Sequence, residues 1–359
     1  MPLYTSPEEI TVFGWSAYKI QIGNVVLDSV INLDCRRTNN KTIGDCSITC
    51  VDDYGDIYDS LEYLDEIEIY IQDPDNFYVP NKVWGGWLET RTYQQGNEHL
   101  ISITGKEYSN ALYDKMYTHN YSSLTDIGQI CKDIVDDSGL LQSTLISTTL
   151  GKSVTLDFDR ETHWDALQKT VQPVGYEFGS TLNQEVYVRA LLDAPISADD
   201  IVLGTNAIVV GQDAIGANVT TEVTVQGVNT ATSSTISDSD YELMYGRKRQ
   251  LFQVNPEAND TNTTLDQATT ILNAQKEQIK RYRVDTTFLP YTEPNDLISV
   301  SITGTELSSD YKVMEISHRI QQSSKITSSV VLNHMGLEQN DILRNLSKSY
   351  YTSEKKVWA

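Results

Sequence analysis

Residues 163–167 read HWDAL, a histidine and a carboxylate beside a tryptophan, with Asp157, Asp159 and Glu161 just upstream. A histidine among acids is what general acid–base catalysis uses. Asp157 and Asp159 would share one face of a strand, about 7 Å apart, a separation compatible with inverting glycoside hydrolysis. The same spacing supports a plainer reading. Thr162 with Asp165 three residues later is a weaker form of the capping box. Asp165 also suits the positive N-terminus of a helix. Trp164, Leu167 and Val171 fall on one helical face, and Pro173 and Gly175 end the pattern. On this reading Trp164 is core and His163 lies on the other, solvated face. No second histidine and no Ser or Cys nucleophile pattern accompanies it. A helix start is expected here rather than an acid–base site, and no catalytic residue, cofactor or metal is expected.

Other residues of chemical interest point the same way. Cys46 and Cys50, in DCSITC, alternate like a strand and face one side. Four residues along a strand span about 13 Å, too far for a disulfide or a shared zinc. Cys35 could pair across strands, and Cys131 sits in a helical pattern. Free, mostly buried thiols are expected. Asp136 and Asp137 are adjacent, so on a helix they diverge by about 100° and read as a solvated end. Gly85–Gly86, in VWGGWLE, suggests a bulge or tight corner within a strand. A phosphate-cradling loop would want a helix next, and a strand pattern follows. Arg247, Lys248 and Arg249 form the one basic knot, read as a salt-bridge site within or between subunits.

These residues must be positioned by a chain of 359 residues with 39% hydrophobic content, enough for two or three domains. No run approaches 18 apolar residues, so no transmembrane helix is expected. MPLYTSPEEI lacks the basic and apolar regions of a signal peptide. The formal charge of −23 argues against a nucleic-acid reader, which needs a basic face.

Residues 10–110 read as short β-branched and aromatic strands separated by turn residues, a small barrel or sandwich. Residues 107–145 shift to helical spacing at Leu124, Ile127, Ile130, Cys131, Ile134 and Val135. Ser123 or Thr125 would cap this helix and Gly139 would stop it. VTLDFD is a strand, and YEFG with EVYVRAL forms a hairpin. Strands recur over 201–230, a polar linker covers 230–246, a helix covers 261–283, and strands follow to 335. The tail is helical at Leu337, Ile342, Leu343 and Leu346. EIEIYIQD, VWGGWLETRTY and HLISITG share their layout with DLISVSITG, YKVMEISHRI and KITSSVVL, an internal echo. The expected class is mainly β: two similar small β-barrel domains flank an α+β middle, with a C-terminal helix. Boundaries fall at 1–110, 111–200, 201–335 and 336–359.

The order of these segments resembles the baseplate or tail hub proteins of tailed phages, the family of late control protein D and the type VI spike base. EIEIYI then VWGGWLETRTY resembles the first barrel. DRETHWDALQKTVQPVGYEFG then EVYVRAL resembles the middle domain. NVTTEVTVQGVN then YELMYGRKRQLF resembles the strand, glycine and Tyr-Gly-Arg passage. The helix at 261–283 followed by NDLISVSITG, VMEISHRI and KITSSVVL resembles the closing barrel. The resemblance covers nearly the whole chain and carries no catalytic residues. It implies a homotrimeric ring at the tail tip of a virion made in the host cytoplasm. Two similar barrels per chain would give a pseudo-sixfold surface matching the tail tube. The ring would join that tube, or a distal tail protein, to a spike or tail fibre. It would pass the tape-measure protein and DNA without sequence recognition. An acidic lumen would repel DNA phosphates; adaptation to a salty host would explain the same charge. The candidate assembly contacts are Trp84, Trp87, Leu88, Arg247, Lys248, Arg249, Leu337, Ile342 and Leu346. The alternatives are a glycan-binding or host-surface β protein of a virion, and the carboxylate glycoside hydrolase.

Overall fold

The computed structural model describes residues 18–27, 29–39, 43–73, 76–96, 99–171, 176–190, 193–215, 220–227, 230–254, 261–275, 279–302, 308–320 and 326–333. The chain divides into two compact units. One comprises residues 1–211 with 283–332, and the other 212–282 with 333–359.

The first unit opens with β1 (Tyr18–Ile22), β2 (Val25–Leu27), β3 (Val30–Thr38), β4 (Asp45–Val51), a short helix α1 (Asp56–Ser60), β5 (Glu66–Asp73), β6 (Asn76–Gln94) and β7 (Leu100–Glu107). Alternation drives this part. LISITGKE buries every second residue and DCSITCV buries Cys46, Ile48 and Cys50. These side chains join Ile20, Leu33, Ile67, Ile69 and Trp84 in one core. β5, β6 and β7 form an antiparallel meander, with irregular register at Val83 and Glu89, on either side of the glycine pair.

A 3-10 turn (Tyr108–Tyr113) leads to β8 (Met116–Asp126), α2 (Ile127–Ser138), β9 (Gln142–Leu145), β10 (Ser153–Thr162), α3 (His163–Val171), β11 (Tyr176–Ser180) and β12 (Glu185–Ala190). β8 and β10 make an antiparallel ribbon, and β11 and β12 form the expected hairpin with β9 beside it. Ile130, Ile134, Phe158, Trp164, Leu167, Phe178 and Val186 form a second core. Gly139 ends α2 in the left-handed region, at φ +76°, as the sequence predicts. The cap is Asp126, not Ser123 or Thr125. Its carboxylate accepts the N–H groups of Gly128, Leu150 and Gly151, each at 2.9 Å. That pulls Leu124 out of the helix and into β8, where it is 75% exposed.

β13 (Ile196–Val202) and β14 (Ala207–Ile215) lead into the second unit: β15 (Glu222–Gln226), β16 (Ser233–Ser237), α4 (Ser239–Tyr245), β17 (Gln250–Val254) and α5 (Thr261–Gln275). Its three strands run in the order β16-β15-β17. Val223, Val225, Ala268, Ile271 and Leu272 bury the helix on one face of this sheet. The stretch expected as a polar linker is therefore structured. SSTIS pairs antiparallel with β15, and Asp238 caps α4 through the N–H groups of Asp240 and Tyr241. Its polarity reflects a strand with one face open to water.

The chain returns through β18 (Ile279–Thr287), β19 (Leu297–Ser301), β20 (Ser308–Ile320) and β21 (Ile326–Asn333). The fold is mainly β, as expected, but the flanking modules do not stand apart as closed barrels. Among the described residues their strands share one 13-stranded sheet in the order β14-β18-β21-β20-β3-β4-β7-β6-β5-β1-β2, with β13-β19 branching from β20. The long β20 makes the join. Its first half pairs with β19, and its second half pairs with β3 from Glu315↔Thr38 to Ile320↔Leu33. The echo seen in the sequence has a counterpart: in β5-β6-β7 and in β19-β20-β21 a long middle strand pairs with both neighbours. The expected C-terminal helix, with Leu337, Ile342 and Leu346, lies outside the described residues.

Candidate functional site

HWDAL is a helix start built as the spacing predicts. The Thr162 hydroxyl accepts the Asp165 N–H at 3.0 Å and donates to the Asp165 carboxylate at 3.0 Å. Trp164 is buried, stacked on Tyr113 and edge-on to Phe178. His163 is not solvated; it is fully buried. The face opposite the Trp164 stripe is covered by α2 and by Tyr117 of β8, whose ring lies 5.6 Å away. Nδ1 of His163 lies 2.9 Å from the Lys115 carbonyl oxygen, and Nε2 lies 2.9 Å from Oδ2 of Asp137. Both nitrogens are engaged inside the fold, so this ring reaches no solute. The His163 hydrogen bond, with help from Lys115, holds the Asp137 carboxyl below its usual range. Asp157 and Asp159 lie on the exposed side of the open β8–β10 ribbon.

Cys35, Cys46, Cys50 and Cys131 are free and buried. Cys35 and Cys46 are direct cross-strand partners. Burial pushes the Cys35 and Cys50 thiols up to about 12.

The glycine pair makes room for close approaches. A Cβ on Gly85 would sit 2.5 Å from the Tyr108 ring, and one on Gly86 would sit 2.0 Å from the Lys106 carbonyl oxygen. Trp84 and Leu88 are buried and present no assembly surface. Both belong to the apolar core of the first sheet, while Tyr108 of the 3-10 turn packs against Gly85 and Trp87. Trp84 donates from Nε1 to the Arg36 carbonyl at 3.2 Å. Trp87 is half-buried, edge-on to Tyr108 at 5.1 Å. The basic knot divides. Lys248 pairs with Glu222 of its own chain, Arg249 donates its N–H to the Thr221 hydroxyl, and Arg247 is exposed.

The sequence gives no hint of a buried ionic cluster in the first unit. Arg37 of β3 donates from Nε to Glu107 of β7 at 3.0 Å and from Nη2 to the Ser180 carbonyl of β11 at 3.1 Å, and lies 3.6 Å from Glu293. Glu107 also accepts the Gly44 N–H at 3.1 Å. Beside it, Glu177 of β11 pairs with Lys312 of β20 and accepts from Arg189 of β12 at 2.9 Å. Arg189 donates to the Asn295 carbonyl at 2.7 Å and lies 3.8 Å from Asp296. Asn295 holds φ +71°, a conformation asparagine tolerates, and donates to Tyr187. Burial pushes the Glu107 carboxyl up against the pull of Arg37, and pushes Lys312 down against the pull of Glu177. The cluster ties β3 and β7, the β11–β12 hairpin and the β20 region into one body. Such an arrangement fixes geometry more than it adds stability, because desolvation offsets the Coulomb gain.

One face of the large sheet is charged and open. A trough of about 470 Å³ is lined there by Asp34, Asp45, Glu89 and Glu315 and by Arg36, Lys106, Arg283 and Arg319, among others. Arg36 grips Asp45 with two bonds of 3.2 and 2.9 Å, and Arg319 meets Asp34 at 2.9 Å, each pair directly across the ladder. Four acids and four cations cancel here, so the chain's excess acidity lies elsewhere.

The fold is similar to that of solved prophage tail proteins. It is similar to a 43 kDa tail protein of prophage MuSo2 from Shewanella oneidensis, at TM-score 0.69 and 12% identity, covering 89% of this chain and 98% of that one. It is similar to a tail protein of Neisseria meningitidis MC58, at TM-score 0.67 and 11% identity, covering 91% and 99%. A component of the Escherichia coli type VI secretion system matches at TM-score 0.53 and 10% identity, over 88% of this chain and 76% of that one. No protein-family model and no curated protein matches the sequence. At these identities it is the fold that is shared.

Proposed function

We propose that this chain is a structural, non-catalytic hub of a phage-like tail or baseplate. Three copies form a ring that joins the tail tube to a central spike or fibre and lets tape-measure protein and DNA pass. The observation that carries this reading is end-to-end likeness: about nine-tenths of this chain superposes on 98–99% of two prophage tail proteins. The recurrence of the β5-β6-β7 layout in β19-β20-β21 supports it, since two similar modules per chain let a threefold ring face a sixfold tube. The buried ionic cluster supports it too, because a hub transmits load only if its modules are locked together.

Negative-stain electron microscopy of the purified protein in low and molar salt tests the proposal. Threefold rings with a central hole are expected. Rings that form only in molar salt would tie the acidity to salt adaptation, because screening relieves self-repulsion. Compact particles of another symmetry would count against the hub.

A further inference from the structure

The buried ionic cluster is out of balance. Among the described residues, the cations Arg37, Arg189 and Lys312 face four carboxylates, Glu107, Glu177, Glu293 and Asp296. The deficit falls on Asp296. Glu107 takes Arg37, and Glu177 takes Lys312 and Arg189. Glu293 has a side chain 41% exposed, so water carries part of its charge. The Asp296 side chain is only 13% exposed, and Arg189 stands 3.8 Å away, beyond hydrogen-bond distance. That guanidinium is committed elsewhere, to Glu177 at 2.9 Å and to the Asn295 carbonyl at 2.7 Å. The Asp296 carboxyl accepts the Glu293 N–H at 3.3 Å.

The backbone around this carboxyl is fixed to β20. Asn295 donates its N–H to the Val313 carbonyl at 2.8 Å, and Val313 donates back to the Asp296 carbonyl at 2.8 Å. Asp199 of β13 holds the same connection from behind, accepting the Tyr291 N–H at 2.8 Å and the Thr292 hydroxyl at 2.7 Å. The cover is the β11–β12 hairpin. Arg189 of β12 grips the Asn295 carbonyl, Tyr187 of β12 takes the Asn295 side-chain amide, and Glu177 of β11 joins Lys312 of β20. The Ser180 carbonyl at the end of β11 accepts from Arg37 of β3. Lifting the hairpin would break these polar contacts together and let water reach Asp296.

We propose that Asp296 makes this joint a proton latch: with the proton bound the cluster is balanced and the hairpin stays docked, and with the proton lost the hairpin lifts to hydrate the carboxylate. The latch is a property of the first unit and stands apart from the hub reading. An ionised carboxylate without a direct cationic bond is costly in a dry site. Burial, then the Glu293 charge, outweighs the attraction of Arg189 and pushes the carboxyl up to about 7; its ordinary value, in water, is 3.8. The closed joint therefore keeps a proton that the open joint releases. Closure is favoured at low pH, weakens as pH rises from about 4 to about 7, and levels off above that. Glu107, pushed up by burial, acts in the same sense. Lys312 and His318, both pushed down by burial, act in the opposite sense where they titrate. Tyr187, pushed up to about 12, stays neutral throughout.

Hydrogen exchange of the full chain, read by mass spectrometry from pH 5 to 8 and corrected for the intrinsic rate at each pH, tests the latch. Protection of Tyr176–Ser180 and Glu185–Ala190 is expected to fall by up to about tenfold per pH unit between pH 5 and 7, and to level off near pH 8. At pH 8 the hairpin should exchange about tenfold or more ahead of β4 and β7, as a segment that opens by itself does. Asp296→Asn should flatten the profile, because its amide does not titrate. Glu293→Gln removes the neighbouring charge and should move the levelling-off point to lower pH. Circular dichroism melting identifies a variant that has lost its fold, and Glu293→Gln then carries the test in place of Asp296→Asn. A hairpin that exchanges in step with β4 and β7 at every pH overturns the latch. So does a slope that persists unchanged in the folded variants, which would assign it to another group.

Discussion

Arg37 and Glu107, seventy positions apart in sequence, meet at 3.0 Å in the interior. Both are almost fully buried, and Glu107 accepts from Gly44 as well as from Arg37. Removing the cation strands a buried carboxylate. Arg37→Leu is expected to destabilise the protein by about 3–5 kcal/mol. Arg37→Leu with Glu107→Leu should lose much less, because no buried charge is left uncompensated; Glu293, the other partner of Arg37, has a side chain 41% exposed. Urea unfolding of the two variants checks this. Equal losses in both would mean that packing, not charge pairing, sets the effect.

The helix start at HWDAL gives a second expectation. The Thr162 hydroxyl makes both bonds of its cap with Asp165. Thr162→Ala should cost about 0.5–2 kcal/mol, and Thr162→Ser should be close to neutral. A thermal melt with no difference between Ala and Ser would show that the cap is dispensable.

Local features such as this were legible in the sequence because the partners sit three residues apart. Thr162 with Asp165, the stop at Gly139, the hairpin from Tyr176 to Ala190 and the buried thiols all follow from spacing. The ionic cluster was not legible. Arg37 finds Glu107 70 positions away and Ser180 143 positions away, and nothing around Arg37 distinguishes it from Arg36, which is half-exposed on the other face. His163 was misplaced because periodicity reports one apolar face, and a second layer of structure covers the face left over. Trp84 was misplaced for a different reason: it belongs to the apolar face itself, packed with Ile20, Leu33 and Ile67. The union of the two β modules was hidden because it depends on β20 reaching past β19 to pair with β3.

Gly86 offers a test of that crowding. A Cβ there would meet the Lys106 carbonyl at 2.0 Å, a backbone atom that must move with β7. Gly86→Ala is expected to destabilise by about 1–3 kcal/mol through overpacking. The control is Gly139→Ala, where a Cβ meets open space but φ is +76°, and the conformational cost is about 1–2 kcal/mol. Tyr108→Leu should relieve Gly85→Ala, whose Cβ would strike the Tyr108 ring, and should not relieve Gly86→Ala. Unfolding midpoints of the double variants decide the point; equal rescue of both would contradict it.

The last expectation concerns pH and sets two buried groups against each other. Burial, then the nearby Glu293 charge, pushes the Asp296 carboxyl up to about 7, against the pull of Arg189. Burial, then Arg37, pushes His318 down to about 3. Folded Asp296 keeps a proton that the unfolded chain releases near its ordinary 3.8. Its contribution is therefore full below about pH 4 and is lost as pH rises through about 7. Folded His318 stays neutral where the unfolded chain takes up a proton below its ordinary 6.5. Its contribution is full above about pH 6.5 and is lost as pH falls toward 3. Between about pH 4 and 6.5 the two slopes oppose, and stability should vary little on their account. Asp296→Asn removes one slope, so stability of that variant should rise with pH across the window, by up to about 1.4 kcal/mol per unit. His318→Gln should show the reverse, a fall with rising pH. Urea midpoints measured across the window give the sign directly. Parallel profiles for the parent and both variants would mean that neither group titrates apart from its unfolded value.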